Sequence, residues 1–309
     1  MTAAPPAGKV VGVGLACLDQ LILWEDTSAP VADNRIVEWS TQGGGMVGTA
    51  LVAAARLGAR AEWWGAVGDD WMGRMILDGL RAERVDTSQV RVLPDVRGPM
   101  VVVCVDGKTG QREFLHCLGL GPWPAPITPL ERLADAACLL IDNTQPASER
   151  AAARRAREFG IPVVGDLGRV RDGDRDVLAH LDYAIVPQQC AESVCQSDLR
   201  AACEQIAAMG PRCVVVTLGE RGLVYLDGDR FGRMDAFEVG VVDTTGAGDT
   251  FHGAFCVGLT RSLPLEQNLA FASAAAALKC RKLGGRAGIP NRDEVVGFLS
   301  GRGFDIRFD

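Results

Sequence analysis

The chain has 309 residues, of which 48% are hydrophobic and 23% charged, a size at which one large α/β core folds without disulfides or a structural metal. Its 32 basic and 39 acidic residues give a net charge of −7, and no run of Lys and Arg marks a nucleic-acid site. The ten cysteines lack zinc-site spacing, and neither a signal peptide nor a membrane-spanning apolar stretch is visible. We therefore expect a cytoplasmic protein with reduced thiols, and no nucleic-acid or membrane partner.

Short runs rich in Val, Leu and Ile alternate with stretches of helical period, which predicts βαβ units on a parallel sheet. The runs are apolar almost throughout, as expected of strands that helices cover on both faces. The expected architecture is therefore three-layered α/β/α around a central, mostly parallel sheet. The predicted strands are 9–14, 61–67, 138–142, 162–166, 183–187 and 213–218, and the predicted helices include 48–57, 147–159, 199–209, 248–259 and 265–279.

Two segments, at about 18–42 and 97–118, break this pattern. The first reads as two alternating strand-like runs around a turn, and the second as a hairpin around Asp106-Gly107. Both patterns favour antiparallel, half-exposed strands. Together they predict a small antiparallel sheet inserted into one domain that spans residues 1–309. An exposed sheet face of this kind favours either a ligand or a second subunit.

The most informative segment is VVDTTGAGDTFHGAF at 241–255, where a strand-like run leads through a Gly-rich turn into a small-residue helix. The backbone amides of Gly246, Ala247 and Gly248 would point outward at the helix start, where an anion such as a phosphoryl group binds well. Asp249 beside that anion would be costly unless it accepts a proton, so it is a candidate general base. The simpler interpretation is that Asp249 only charges a helix start.

This segment resembles the second signature of the ribokinase-like (pfkB) carbohydrate kinases. GGGMVGTALVAAARLG at 43–58 resembles the first signature, and the likeness covers nearly the whole chain. The resemblance implies a ribokinase-like fold in which the two hairpins form a β-lid. It also implies an ATP-dependent sugar kinase that uses Mg²⁺ and forms a homodimer through the lid.

The resemblance assigns roles to individual residues of the acceptor site. It makes Asp249 the base that deprotonates a hydroxymethyl group, and Gly246, Ala247 and Gly248 the anion hole. Three of the residues that the resemblance assigns to the sugar also have simpler interpretations: Asp19 could be a charge on an edge strand, and Gly44 and Gly45 could form a strand-to-helix turn. The candidate sugar-binding residues are Asp19, Asp33, Gly44, Gly45 and Thr49, with Thr49 standing where many members have Asn.

The nucleotide is expected on the other side of the anion hole. Thr217, Gly219 and Gly222 resemble the family's nucleotide-ribose loop, and Asp166-x-x-Arg169 resembles its D-x-N-x-R motif. Ala275 lies in a small-residue helix that could wall the adenine. The residues assigned to ATP are therefore Thr217, Gly219, Gly222, Arg169 and Ala275, with Gly246 and Gly248 at the phosphates.

Cation sites are implied in two places. A monovalent cation, K⁺ in the family, would be held mostly by backbone oxygens of Asp243, Thr245, Lys279, Lys282, Gly284 and Gly288, of which Gly288 offers no hydroxyl. The family's N-x-x-E motif departs here, because aligning Gln188 with Asn puts Ala191 at the Glu position. Glu192 is one residue out of register, which leaves Mg²⁺ binding at this motif open.

The substrate is the least determined feature. The motifs are most similar to the branch that contains sulfofructose kinase and ketose kinases, yet the segment 18–42 carries five acidic residues and one cation, Arg35. That balance favours a neutral ketose or pentose, although Arg97 or Arg112 could reverse it. The alternatives are a sulfosugar kinase, a nucleoside kinase of the same fold and a non-catalytic sugar sensor. His252 is expected to pack under the loop without a catalytic role.

Overall fold

The computed structural model describes residues 8–26, 35–108, 112–117, 129–170, 175–196, 198–306 and 308. In chain order the strands are β1 (Lys9–Val13), β2 (Cys17–Trp24), β3 (Ile36–Gly44), β4 (Arg60–Trp64), β5 (Ala66–Gly68), β6 (Val85–Asp86), β7 (Arg91–Leu93), β8 (Met100–Asp106), β9 (Arg112–Cys117), β10 (Ala136–Ile141), β11 (Val163–Asp166), β12 (Tyr183–Pro187), β13 (Cys213–Thr217), β14 (Leu223–Asp227) and β15 (Arg230–Met234). The helices are α1 (Met46–Arg56), α2 (Trp71–Ala82), α3 (Pro146–Glu158), α4 (Arg175–Leu178), α5 (Gln188–Val194), α6 (Leu199–Ala207), α7 (Ala247–Thr260), α8 (Leu265–Lys279) and α9 (Arg292–Ser300).

The central sheet has the strand order β15-β14-β13-β12-β11-β10-β1-β4-β6. The strands from β13 to β6 pair in parallel, whereas β13, β14 and β15 pair antiparallel. The mostly parallel sheet is therefore confirmed, and the β14–β15 hairpin at its edge is an addition that the sequence analysis did not predict. Strand β1 lies between β4 and β10, so the strand order reverses there, and ligands bind at the carboxyl ends of strands at such a point.

Apolar side chains fill both faces of the central sheet. Trp63 belongs to the cluster that packs under α1, α7 and α8, whereas the next residue, Trp64, belongs to the cluster under α3 and α6. Both rings are fully buried. Because neighbouring residues of a strand point to opposite faces, a strand covered on both sides must be apolar at every position. This explains the unbroken apolar runs in the sequence.

The two hairpins form a separate four-stranded sheet with the order β3-β2-β8-β9. Each hairpin is antiparallel, as expected, whereas β2 and β8 pair in parallel from Leu18↔Met100 to Trp24↔Asp106. The small antiparallel sheet is thus confirmed within each hairpin, and the two central strands that join the hairpins run in the same direction. Strand β3 ends at Gly44, directly before α1, which brings this sheet to the carboxyl edge of β1.

Helices α1 and α7 pack closely because their contact surfaces are made of small residues. A Cβ atom on Gly253 of α7 would lie 2.1 Å from the carbonyl oxygen of Ala50 in α1. Glycine is therefore needed at this crossing, which fixes the position of α7 against the sheet. In contrast, Gly297 in α9 has open space around its Cα.

We expect Gly253→Ala to lower the free energy of unfolding by about 1–3 kcal/mol, because the methyl group must push the two helices apart. The matched variant Gly297→Ala adds the same methyl group in open space and should raise the free energy by about 0.5–1 kcal/mol. Urea unfolding followed by circular dichroism measures both. Equal effects of the two variants would contradict the close crossing.

Candidate active site

The amino terminus of α7 presents free backbone amides at the carboxyl edge of the sheet. Gly246 precedes the helix with φ 76°, and a Cβ there would lie 2.3 Å from the carbonyl oxygen of Gly285, so only glycine fits. The amides of Gly246 and Gly248 make no hydrogen bond to the described residues, whereas that of Ala247 donates to Thr244 O at 3.1 Å. The predicted three-amide hole is therefore corrected: Ala247 is already engaged, and Gly246 and Gly248 remain.

Asp249 is half-buried in the first turn of α7. Burial raises the pKa of its carboxyl well above the ordinary value, and the nearby charges of Asp166 and Asp19 add to this effect. Asp166, at the end of β11, is buried and also has a raised pKa because of burial and Asp142. Three acidic groups thus face the same edge, and a carboxyl with a raised pKa suits proton acceptance from an alcohol.

His252 packs beneath this loop. Its Nδ1 lies 2.7 Å from Gly248 O and 3.3 Å from the Asp166 carboxylate, and its Nε2 lies 3.4 Å from Ile185 O. Burial lowers the pKa of this imidazole. The side chain is buried and faces backbone oxygens, in agreement with the packing role expected for it.

The acceptor side is built from β2, β3 and the start of α1. Asp19 is half-buried, and its carboxylate lies so close to Gly44 that a Cβ there would be 2.1 Å from Oδ1. Burial raises the pKa of Asp19. Gly45 has φ 85° and precedes α1. The structure therefore brings Asp19, Gly44 and Gly45 together, while Asp33 lies outside the described residues.

Thr49 needs a correction. The residue is 2% exposed, and its Oγ1 accepts a hydrogen bond from Nε of Arg286 at 3.3 Å. Because the hydroxyl is buried and engaged, Thr49 contributes to the cleft by holding Arg286. The predicted direct contact with the sugar has no exposed surface to support it.

Four of the residues assigned to the nucleotide lie at or just after the ends of strands, whereas Ala275 lies in the core. Thr217 ends β13, and Gly219 and Gly222 follow with φ 61° and 81°, so both glycines need the left-handed region. Arg169 is exposed near the end of β11. Ala275 is fully buried in the core, so it has no surface for an adenine ring. Ala276 and Ala277 of the same helix are half-exposed and replace Ala275 as candidates.

The loop predicted to bind a monovalent cation is held together by hydrogen bonds to the side chain of Asp243. Asp243 accepts hydrogen bonds from the amide and hydroxyl of Thr245, both at 2.8 Å, and from the amide of Gly284 at 2.7 Å. Although burial opposes the effect, these bonds lower the pKa of Asp243. Gly288 approaches Lys279 O so closely that a Cβ would be 2.1 Å away. Lys282 is exposed, and its amide lies 3.4 Å from Lys279 O.

The side chain of Lys279 is a feature that the sequence analysis missed at this loop. It is fully buried, and its ammonium donates to Asp243 O at 2.8 Å. Only the backbone of Lys279 was expected to take part. The ammonium therefore supplies a fixed positive charge beside the predicted cation position.

The segment that departs from the N-x-x-E motif forms α5, in which Gln188 and Glu192 are hydrogen-bonded to each other. Gln188 Nε2 donates to Glu192 Oε1 at 2.5 Å, and Gln188 Oε1 accepts from Arg221. Ala191 is fully buried. Residues four apart lie on one helix face, so Glu192 stands beside Gln188 although it is out of register with the motif. Within the described part of the chain, no cluster of three acidic, His or Cys side chains forms a metal site.

Two residues of the cleft were missed by sequence reasoning. Asp142, after β10, is buried and accepts hydrogen bonds from the amides of Leu15 and Thr144. Arg286 is buried against Gly44 and Thr49. Arg286 stands in the Gly-rich segment GGRAGIP at 284–290, but nothing in that segment indicates where the side chain points.

Comparison with known proteins decides the family. The chain matches the pfkB family of carbohydrate kinases over residues 7–292. The chain belongs to that family. As a pfkB-family carbohydrate kinase it is a phosphotransferase that acts on a hydroxyl group of its acceptor.

Relatives and solved structures agree with this assignment. A ribokinase of Bacillus subtilis is 29% identical over 92% of this chain and 97% of its own length. An ATP-dependent ribose-1-phosphate kinase of Halopiger xanaduensis is 29% identical over 84% and 87%. A crystal structure from Agrobacterium tumefaciens, proposed to be a ribokinase, superposes with a TM-score of 0.87 at 27% identity over 96% and 98%. Arabidopsis thaliana ribokinase complexed with ribose and ATP gives 0.84 at 23% over 95% and 99%, which shows the shared fold.

Proposed function

We propose that this carbohydrate kinase transfers the γ-phosphoryl group of ATP to a hydroxymethyl group of a small sugar. The observation that carries the proposal is the geometry at the start of α7. A half-buried Asp249 with a raised pKa stands one residue beyond Gly248, whose amide makes no hydrogen bond to the described residues. A base and an anion hole in direct contact are what in-line phosphoryl transfer to an alcohol needs.

In this mechanism Asp249 accepts the proton of the attacking hydroxyl group. The amides of Gly246 and Gly248, together with the positive end of α7, bind the oxygens of the transferring phosphoryl group. Asp19 accepts hydrogen bonds from other hydroxyls of the sugar and so holds it in line. Mg²⁺ bound with ATP would neutralise phosphate charge, and the carboxylate of Glu192 is the candidate to hold the waters of that ion.

The acceptor that we propose is a pentose or a ketose of similar size, because the relatives named above include a ribokinase. Of the acidic residues in the segment that favoured a neutral sugar, Asp26 pairs with Lys108 at 2.7 Å, whereas Glu38 is exposed. Arg97 is also exposed, and the side chain of Arg112 lies outside the described residues. A sulfosugar, a nucleoside and the absence of any turnover are the other outcomes of a substrate screen.

Two further features belong to the proposal. The loop around Asp243 and Gly284 is proposed to bind K⁺ next to the anion hole, through backbone oxygens other than that of Asp243, to which the buried Lys279 ammonium already donates. The whole chain is proposed to act as one cytoplasmic kinase domain, with the four-stranded sheet as its lid. All ten cysteines are free thiols, as expected in a reducing compartment, and no described helix combines the length and apolarity needed to cross a bilayer.

We expect Asp249→Asn to lower kcat by about 10²- to 10⁴-fold with the best acceptor of a sugar and nucleoside panel. The substitution removes the base and keeps the shape, so ATP binding should change little. Coupled measurement of ADP release, with ATP affinity from calorimetry, tests this. Asp78→Asn, at an exposed position of α2, is the matched control. A variant at position 249 with near-normal kcat would disprove the proposed base.

We also expect kcat/KM, plotted against pH, to fall on the acidic side with an apparent pKa above the ordinary range of an aspartate. Asp249 must be ionised to act, and its raised pKa means that activity is lost at a higher pH as the solution is acidified. The charge of Asp166 contributes to this rise, so Asp166→Asn should shift the acidic side of the profile to lower pH. The profile of Asp78→Asn should match that of the wild type. If Asp166→Asn does not shift the acidic side of the pH profile, the charge of Asp166 does not raise the pKa of Asp249.

The lid offers an apolar outer face for a second copy of the chain. Asp19 and Gln42 pair across β2 and β3 on the face toward the site, so Gln20, Thr41 and Trp39 lie on the opposite face. Leu115 of β9 lies on the same face, because it pairs with Val102 of β8, which pairs with Gln20. Trp39 is 68% exposed and Leu115 is 59% exposed. Large exposed apolar groups clustered on one face favour a protein interface. We therefore propose a homodimer through this face.

We expect Trp39→Asp to convert a dimer into a monomer in sedimentation velocity, because a charge buried in an apolar interface is costly. Met75→Asp, at an exposed apolar residue of α2, should leave the dimer intact. A wild type that sediments as a monomer at all concentrations would refute the lid interface.

A further inference from the structure

A buried cation lies in the acceptor side of the cleft without a carboxylate in contact. Arg286 is 8% exposed. Its Nη2 donates to Gly44 O at 2.8 Å, and its Nε donates to Thr49 Oγ1 at 3.3 Å. Nη1 makes no hydrogen bond to any described residue, and the ion pairs of the described chain do not include Arg286. Both of its hydrogen-bond partners are therefore neutral.

Such an arrangement is unfavourable unless an anion completes it. Taking a guanidinium out of water is costly, and a carboxylate in direct contact can offset that cost. Asp19 and Asp249 lie within electrostatic range of Arg286, but neither forms an ion pair with it. The guanidinium is thus held in place by neutral groups and keeps donor capacity for a ligand.

The guanidinium also lies against the amino terminus of a helix. It packs against the glycine turn that begins α1: a Cβ on Gly43 would lie 2.0 Å from Nη1, and a Cβ on Gly48 would lie 2.9 Å from Nη2. Helix α1 has no side-chain cap and no acidic residue in its first turn. The amino terminus of a helix carries a partial positive charge, which adds to that of the guanidinium and favours an anion beside the two.

We propose that Arg286 and the first turn of α1 form a second oxyanion subsite, on the acceptor side of Asp249. This inference rests on the proposed function. The ligand is an oxyanion that Nη1 of the guanidinium binds through a charge-assisted hydrogen bond. The first turn of α1 contributes its partial positive charge, since the Gly48 amide of that turn already donates to Leu15 O at 3.0 Å. The oxyanion comes from one of two sources: the phosphoryl group during its transfer, or an ionised substituent of the acceptor, such as a phosphate, sulfonate or carboxylate.

The position of the loop that carries Gly285 and Arg286 is compatible with both sources of the oxyanion. The carbonyl oxygen of Gly285 touches Gly246 at the start of α7, while the side chain of the next residue reaches Gly44 and Thr49. The subsite therefore lies between the phosphoryl-binding amides and the residues expected to hold the sugar.

Thermal unfolding with sulfate as the probe tests for the subsite without any turnover. Sulfate should raise the Tm of the wild type, and Arg286→Met should lose at least half of that rise. Arg286→Lys, which keeps the charge, should retain part of it and serves if the Met variant does not fold. Arg200→Met, at an exposed arginine of α6, should respond like the wild type. Equal sulfate responses in the wild type and both Arg286 variants would overturn the proposal, even if the variants are less stable.

Kinetics then distinguish the two sources. A tenfold or larger loss of kcat in Arg286→Met with a neutral pentose and an unchanged KM assigns the subsite to the phosphoryl group. A tenfold rise in KM for a sugar phosphate or sugar acid, with the neutral pentose unaffected, assigns it to the acceptor. Changes below twofold in every parameter overturn the proposal. If the wild type phosphorylates no acceptor, the proposed function fails, and the sulfate response still decides on Arg286.

Discussion

The electrostatics of this cleft depend on buried and half-buried acidic groups beside backbone amides that make no hydrogen bond to the described residues. Asp249, Asp166, Asp142 and Asp19 all have raised pKa values, and burial is the largest cause in each case. They meet where the strand order of the sheet reverses, so four separate segments contribute one group each. Burial alone would make such a cluster unstable. The positive ends of α7 and α1 and the charge of Arg286 offset it, which ties the electrostatics of the cleft to the placement of two helices.

Much of the fold followed from the sequence because burial leaves a strong pattern. The strands β10 to β13 are apolar at nearly every position. The second sheet was distinguished by alternation in the segment 18–42 and by the Asp106-Gly107 turn in the segment 97–118. Pattern alone does not determine which strands pair. The parallel pairing of β2 with β8 joins two hairpins far apart in the chain, and the edge hairpin β14–β15 lies beyond the parallel strands that dominate the pattern.

The site was predictable where a role is set by local backbone and was missed where it is set by tertiary contacts. Gly246 and Asp249 stand in a turn and the helix that follows, and the sequence placed both correctly. The engagement of the Ala247 amide by Thr244, the burial of Thr49 and the burial of Ala275 depend on how neighbouring segments close around them. Arg286 is the clearest case, because its place in the cleft follows from the direction of one long side chain.

One short loop connects the parts of this cleft. The amide of Gly284 binds the carboxylate of Asp243, the amide of Gly285 binds Oε1 of Gln42 in the lid, and Arg286 binds the end of β3. Arg56, near the far end of α1, donates to the carbonyl oxygens of Arg286 and Ile289 and pairs with Glu83. The loop is thereby fixed to α1 on one side and to the lid on the other. Any movement of β3 must therefore strain the hydrogen bonds at Gly285 and Arg286, and through Gly284 it reaches Asp243, close to the start of α7.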